Sequence, residues 1–121
     1  MKVCVTASQE GLDAPLDDRF GRAPYFVIVD TDTLETATIV NHAIDESHGA
    51  GVSSATAVAQ SGAEALITAH CGPRAFDVLD AAGIKVFAAK PGTVRNAVEA
   101  FNNGALTQLS GADAPAGGLR R

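Results

Sequence analysis

The sequence predicts an α/β fold on one five-stranded mixed sheet, a three-strand antiparallel meander followed by parallel β-α-β crossovers, with three helices. Three observations carry this. The first 41 residues hold three β-rich apolar segments and no helical periodicity. The second and third of these are joined only by Thr31-Asp32-Thr33, a link short enough to require an antiparallel hairpin. From Val52 onward, stripes at helical spacing alternate with short buried-strand runs, the pattern of right-handed parallel crossovers.

Each element has its own signal. Lys2 to Ala7 forms the first strand, with Cys4 in its middle as a small buried hydrophobe. A long polar connection from Ser8 to about Pro24 contains Asp17-Asp18-Arg19-Phe20-Gly21-Arg22. A loop of that length in a compact domain is usually functional or mobile, although its arginines and aspartates can also simply pair at the surface. Tyr25 to Asp30 and Leu34 to Asn41 are the hairpin strands, and residues 42–51 are polar again. Val52, Ala55 and Ala59 mark a helix that ends near Gly62, and Ala65 to Ala69 is a buried strand. Ala75, Phe76, Val78, Leu79 and Ala82 place a second helix over 75–82, stopped by Gly83. Ile84 to Ala88 is the fifth strand. Thr93 caps a third helix whose stripe is Val94, Ala97, Val98 and Phe101. Ala105 to Leu109 is a candidate for a short additional edge strand. The stretch from Ser110 lacks core formers, so the expected organisation is one domain over 1–109 and a flexible tail over 110–121.

Composition narrows the function. The 121 residues suffice for one ordinary core. Net charge is 9 − 14 = −5 with no basic run, which argues against a nucleic-acid partner. No apolar run approaches the ~20 residues of a membrane span, and Lys2 leads directly into a strand rather than a secretory signal. The expectation is a cytoplasmic protein with no membrane partner, whose two distant cysteines, Cys4 and Cys71, are free thiols.

Chemistry concentrates at one place. If the fourth strand lies beside the first, the strand order reverses there, and ligands in such sheets bind beyond the carboxyl ends of the strands at that point. Those ends are Ala7-Ser8 and Ala69-His70-Cys71, the latter running into Gly72-Pro73-Arg74. Proline suits the first turn of a helix, whose free N–H groups and partial positive charge suit an anion. All three histidines, His42, His48 and His70, fall in predicted loops together with Cys71. Imidazole and thiolate are ligands that soft or borderline metals select, which makes these four residues the candidate metal contacts, although their spacing matches no zinc motif. Two other readings stay open. Cys71 at a helix N-terminus beside a histidine suits a cysteine-dependent enzyme, with Asp45 or Glu46 orienting the base. Gly72, Arg74 and the Gly49-Ala50-Gly51 segment suit a phosphate or nucleotide module, although no Walker-type Gly-Lys-Ser/Thr is present.

Three motifs in order resemble a known family. Asp-Arg-Phe-Gly-Arg-Ala-Pro-Tyr-Phe (18–26), Asn-His…His-Gly-Ala-Gly (41–51) and His-Cys-Gly-Pro-Arg-Ala-Phe (70–76), with Ala-Ala-Gly-Ile-Lys-Val-Phe (81–87), are similar to the dinitrogenase iron–molybdenum cofactor-binding family. The resemblance spans roughly residues 1–109 and departs from the family pattern at Ala69, where a glycine is expected. It implies a ribonuclease H-like fold without nuclease activity. It also implies a small non-catalytic carrier of an anionic metal–sulfur cluster, an iron–molybdenum cofactor precursor or a molybdenum–copper or iron sulfide of the orange-protein type. Carried over by position, His48, His70 and Cys71 are the metal contacts, and His42, in the same loop as His48, is kept as a further candidate. Arg19, Arg22, Gly49, Gly72 and Arg74 join His48 in holding the cofactor. The implied partners are cluster donor and acceptor proteins, and the expected state is a monomer or weak homodimer.

Overall fold

The structure, a computed structural model, describes residues 1–45 and 49–111. Its strands are β1 (Lys2–Ala7), β2 (Tyr25–Asp30), β3 (Thr36–Val40), β4 (Ala65–Thr68), β5 (Lys85–Ala88) and β6 (Thr107–Gln108). Its α-helices are α1 (Ala50–Gln60), α2 (Pro73–Ala81) and α3 (Val94–Asn102), and short 3₁₀ turns cover Phe20–Arg22 and His42–Asp45. The sheet runs β3-β2-β1-β4-β5-β6. β1–β2 and β2–β3 are antiparallel, β1–β4 and β4–β5 parallel, and β5–β6 antiparallel.

The meander, the two crossovers and the reversal between β1 and β4 are as the sequence predicts, but the sheet has six strands rather than five. The sixth is Thr107–Gln108, which pairs with Phe87 and Ala88 after the left-handed Gly104 (φ 70°) reverses the chain. Two exposed polar residues carry no hydrophobic periodicity, so backbone geometry alone makes this strand. The helices also begin earlier than their apolar stripes, α1 at Ala50 and α2 at Pro73. His42 lies in a 3₁₀ turn rather than an irregular loop.

Strand alternation divides the core into two layers. Cys4, Phe26, Ile28, Leu66 and Val86 pack with Ala55 and Val58 of α1 and Ala75 and Leu79 of α2. Their strand neighbours Val3, Val5, Val27, Val29, Ala65 and Ile67 pack with Val94, Ala97 and Val98 of α3. Both faces of the central strands are therefore covered, which is why β1, β2 and β4 are apolar almost throughout rather than alternating. Each fully buried Leu, Ile or Val in these layers contributes roughly 1.5–3 kcal/mol.

The helices differ in how they start. α3 begins with a reciprocal cap: Thr93 Oγ1 accepts from the Asn96 amide at 3.1 Å and Asn96 Oδ1 from the Thr93 amide at 3.0 Å. α1 and α2 begin at Gly49 and Gly72 and have no side-chain cap. The Thr93→Ala variant should lose about 1 kcal/mol of stability, a fall in Tm on the order of 4 °C by circular dichroism. An unchanged Tm would show that α3 does not depend on this cap.

Candidate functional site

The carboxyl ends of β1 and β4 are joined by a buried pair of hydroxyls. Thr6 Oγ1 lies 2.8 Å from the Asp17 carbonyl and 3.0 Å from Thr68 Oγ1, and both threonines are fully buried. A hydroxyl has one proton and a carbonyl can only accept. Thr6 therefore donates to Asp17 and receives from Thr68. The Asp17 amide returns a bond to the Thr6 carbonyl at 3.0 Å, which ties the first loop across the strand ends. Asp17 Oδ1 then accepts from the Arg19 amide at 2.9 Å, and Arg19 forms a parallel bridge with His70. The arginine-bearing turn is thus set beside the first residues past β4.

Asn41 ties this turn to α1. Its side chain, 3% exposed, donates to the Ala23 carbonyl at 2.8 Å and to the Gly21 carbonyl at 3.4 Å. Its Oδ1 accepts from the Ala43 amide at 3.0 Å and from the buried Ser54 hydroxyl of α1 at 3.3 Å. Backbone contact completes the junction. A methyl group on Gly21 would lie 3.1 Å from the Gly51 amide nitrogen and 3.2 Å from its Cα, and one on Gly51 would lie 3.5 Å from Ala75 Cβ. The turn with Arg19 and Arg22 therefore abuts the first turn of α1, which in turn abuts the first turn of α2, where Arg74 sits.

The expected site residues fall into four groups. Arg19, Arg22, Gly49, Gly72, Arg74 and His70 belong to this junction or its immediate flanks. Arg19 and Arg74 are exposed and make no ion pair with any described residue. Arg22 is half-buried, as is His70, whose Nδ1 is shielded from solvent. His42 is exposed in the 3₁₀ turn that follows β3. His48 lies outside the described residues, as do Glu46 and the 112–121 segment. Cys71 departs from expectation. Expected as a metal contact, it is 0% exposed, packed in the layer with Cys4, Phe20 and Ala75, with its thiol 3.7 Å from the Gly72 carbonyl. The residue after His70 turns inward because the chain must re-enter the α2 layer, so its sulfur serves the core. Burial also pushes the Cys4 thiol pKa up, which keeps it protonated.

The hollow at the strand ends is acidic, and none of His70 to Arg74 lines it. A concavity of about 310 Å³ at the ends of β1 and β4 is lined by Ser8, Leu16, Asp17, Asp18, Ala69 and Pro91. Leu16 belongs to the α3 layer, so this hollow lies on the other side of the arginine turn from α1 and α2. Among the described residues, no group of three or more His, Cys, Asp or Glu converges on a metal-ion position. What converges instead is a pair of helix N-termini without side-chain caps, a setting for an anion. Sequence reasoning did not assign Asn41, Thr6, Thr68 or Gly21. For the first three, a polar residue at the end of an otherwise apolar strand is the signal that was available.

Residues 1–104 match the sequence pattern of the family described as dinitrogenase iron–molybdenum cofactor. An uncharacterized protein of Methanocaldococcus jannaschii is 33% identical over 97 residues, 78% of this chain and 82% of its own length. Among solved structures, the apo form of the orange protein from Desulfovibrio gigas superimposes with a TM-score of 0.90 at 43% identity, over 93% of this chain and 96% of that one. A Thermotoga protein of the DUF35 family, solved by NMR, gives 0.81 at 34% identity, over 93% of this chain and 97% of its own.

The junction makes a specific demand on Gly21 and Asn41. Asn41→Ala strands the Ala43 amide and the Ala23 carbonyl and should cost about 3 kcal/mol in urea unfolding. Gly21→Ala forces a methyl group against the Gly51 backbone, so its amide chemical-shift changes should extend to Gly51 and Ala75. Changes confined to residues 19–23 would mean that the contact is not as described.

Proposed function

The chain belongs to the dinitrogenase iron–molybdenum cofactor family, and from that premise we propose that it is a non-catalytic carrier of an anionic metal–sulfur cluster. The cargo is an iron–molybdenum cofactor precursor or a molybdenum, copper or iron sulfide. It is received from a donor protein and handed to an acceptor, and the fold is read as the ribonuclease H-like variety. The observation that supports this most is the convergence of the arginine turn with the first turns of α1 and α2 through Gly21, Gly51 and Ala75.

A metal sulfide cluster carries its negative charge on peripheral sulfurs, which accept hydrogen bonds. Backbone N–H groups at 49–51, 72 and 74, together with Arg19, Arg22 and Arg74, suit that surface. His70, and His42 across the same turn, offer imidazole nitrogens as directional contacts, and by sequence position His48 belongs with them. Cys71 has no part in this reading, because a fully buried thiol presents nothing to a cargo. Arginine side chains and backbone amides with no chelating cage favour reversible holding, as a carrier requires. The acidic hollow beyond the arginine turn disfavours the nucleotide alternative. A phosphate chain extended along the strand ends would meet Asp17 and Asp18. Among the described residues, no helix is long and apolar enough to cross a membrane. A cytoplasmic setting without nucleic-acid partners is part of the same proposal.

The test is anaerobic incubation of the full chain with thiomolybdate and copper(I), or with iron, molybdate and sulfide, followed by gel filtration. A chromophore should elute with the protein. The Arg19→Ala/Arg74→Ala variant should bind it at least about tenfold more weakly, and raised salt should weaken wild-type binding. Absence of a comigrating chromophore, or full retention by the double variant, would refute the carrier reading.

The non-catalytic assignment has its own check. Both thiols are buried, so neither should react with iodoacetamide in the folded protein, and both should react after unfolding. Fast reaction of Cys71 in the native state would reinstate the cysteine-enzyme alternative.

A further inference from the structure

The sheet ends in two unlike edges. β6 is a two-residue strand, too short to receive another chain, whereas β3 presents five residues and has extensive contact with β2 alone among the described elements. Which backbone groups it presents follows from the ladder. The Asn41 amide donates to Pro24 at 2.9 Å and the Asp30 amide donates to the Glu35 carbonyl at 2.9 Å. With Tyr25 opposite Val40 and Val29 opposite Thr36, Glu35, Ala37, Ile39 and Asn41 therefore turn their backbone groups toward β2. The N–H and C=O groups of Thr36, Thr38 and Val40 point outward.

This edge lacks the usual protections. Thr36-Ala37-Thr38-Ile39-Val40 contains no charge and no proline, and its pairing to β2 is continuous without a bulge. Val40 is 51% exposed, one of only two exposed large hydrophobics among the described residues. We propose that β3 pairs antiparallel with β3 of a second copy of this chain about a twofold axis at Thr38, forming a weak homodimer with a continuous sheet.

The register follows from the parity. With Thr38 opposite its own copy, Thr36 falls opposite Val40, and each of these pairs has both partners' backbone groups facing the other. All three outward positions are satisfied together, and Val40 packs beside a threonine methyl group instead of water. No like charges meet along the strand, and Glu35 comes opposite Asn41 of the second copy, one residue from its His42. The 3₁₀ turn that follows Val40 folds against α1 and the Phe20–Arg22 turn, and among the described elements only β2 has extensive contact with β3. One five-residue ladder falls well short of the roughly 1,000 Å² expected of a stable interface, so the association must be weak and concentration-dependent. A second copy is favoured over an unrelated extended peptide because one strand supplies both matching halves of the register.

Sedimentation equilibrium of the full chain should show an average mass that rises from 12.3 kDa toward twice that value, as concentration is raised from about 10 μM to about 1 mM. Over the same range the amides of Thr36, Thr38 and Val40 should become protected from hydrogen exchange, while Ala37 and Ile39 stay protected throughout. Thr38→Pro removes an outward N–H and no bond to β2, so it should abolish the rise in mass while leaving the fold intact. Should the proline disturb the hairpin, Thr38→Lys provides the second test, since it sets two ammonium groups against each other at the axis. A constant mass of 12.3 kDa, or a rise that survives Thr38→Lys, would overturn the proposal.

Discussion

The buried amide of Asn41 is the interaction on which the geometry of the candidate site depends. An amide side chain that is 3% exposed must find partners for both its ends. Here those partners come from three separate pieces of chain: the arginine turn at Gly21 and Ala23, the start of the 3₁₀ turn at Ala43, and α1 at Ser54. None of these pieces is held by the sheet ladder. Without the amide, the arginine turn would be linked to α1 by packing alone, through the close approach of Gly21 to Gly51 and the burial of Phe20 in the α1–α2 layer. The side chain that does most to define the site therefore lies beneath it.

The other half of the anchoring is the pair of threonines. Thr6 and Thr68 sit at the carboxyl ends of adjacent parallel strands, where an apolar residue would fill the same space without directing anything. As hydroxyls they form a chain in which Thr68 donates to Thr6 and Thr6 to the Asp17 carbonyl, so the register of the two strands fixes where the loop leaves the sheet. The Asp17 side chain then turns the chain by accepting from the Arg19 amide. The sequence of causes runs from strand register to hydroxyl pair to carbonyl to arginine position, each step a hydrogen bond between named atoms.

Much of the fold was legible because burial has a period. The runs at 2–7, 25–30 and 65–69 are apolar on both strand faces, and the stripe Val94, Ala97, Val98, Phe101 has the spacing of a helix, so the elements and the reversal between β1 and β4 followed from pattern. β6 was legible only as a candidate edge strand over 105–109, since Thr107 and Gln108 are held by the backbone of β5 and bury nothing. The site was legible in part. The Gly72-Pro73 break and the arginines mark themselves, but Cys71 misled. Cysteine is as much a core residue as a ligand, and only the direction of the chain past His70 decides which. Asn41 escaped because its role is long-range: its partners lie 18 residues before it and 13 after it, and no local spacing encodes that.

The two faces of the sheet differ in how their helices start. The α3 face is closed on itself, with a capped helix, the tightly packed Phe87 and Phe101 rings 5.1 Å apart, and the first loop stitched to α3 by the Val94 and Arg95 amides. The α1–α2 face has the same apolar packing below, but both its helices start at glycines that carry no capping side chain. Uncapped amides cost little while water reaches them, so these helix starts can be exchanged between solvent and an anion without disturbing the core beneath. A cap of the Thr93 type at Gly49 or Gly72 would stabilise the helix and at the same time fill the position an anion would take. The glycine starts and the tight core are therefore two sides of one arrangement: stability is concentrated away from the site proposed for an anion.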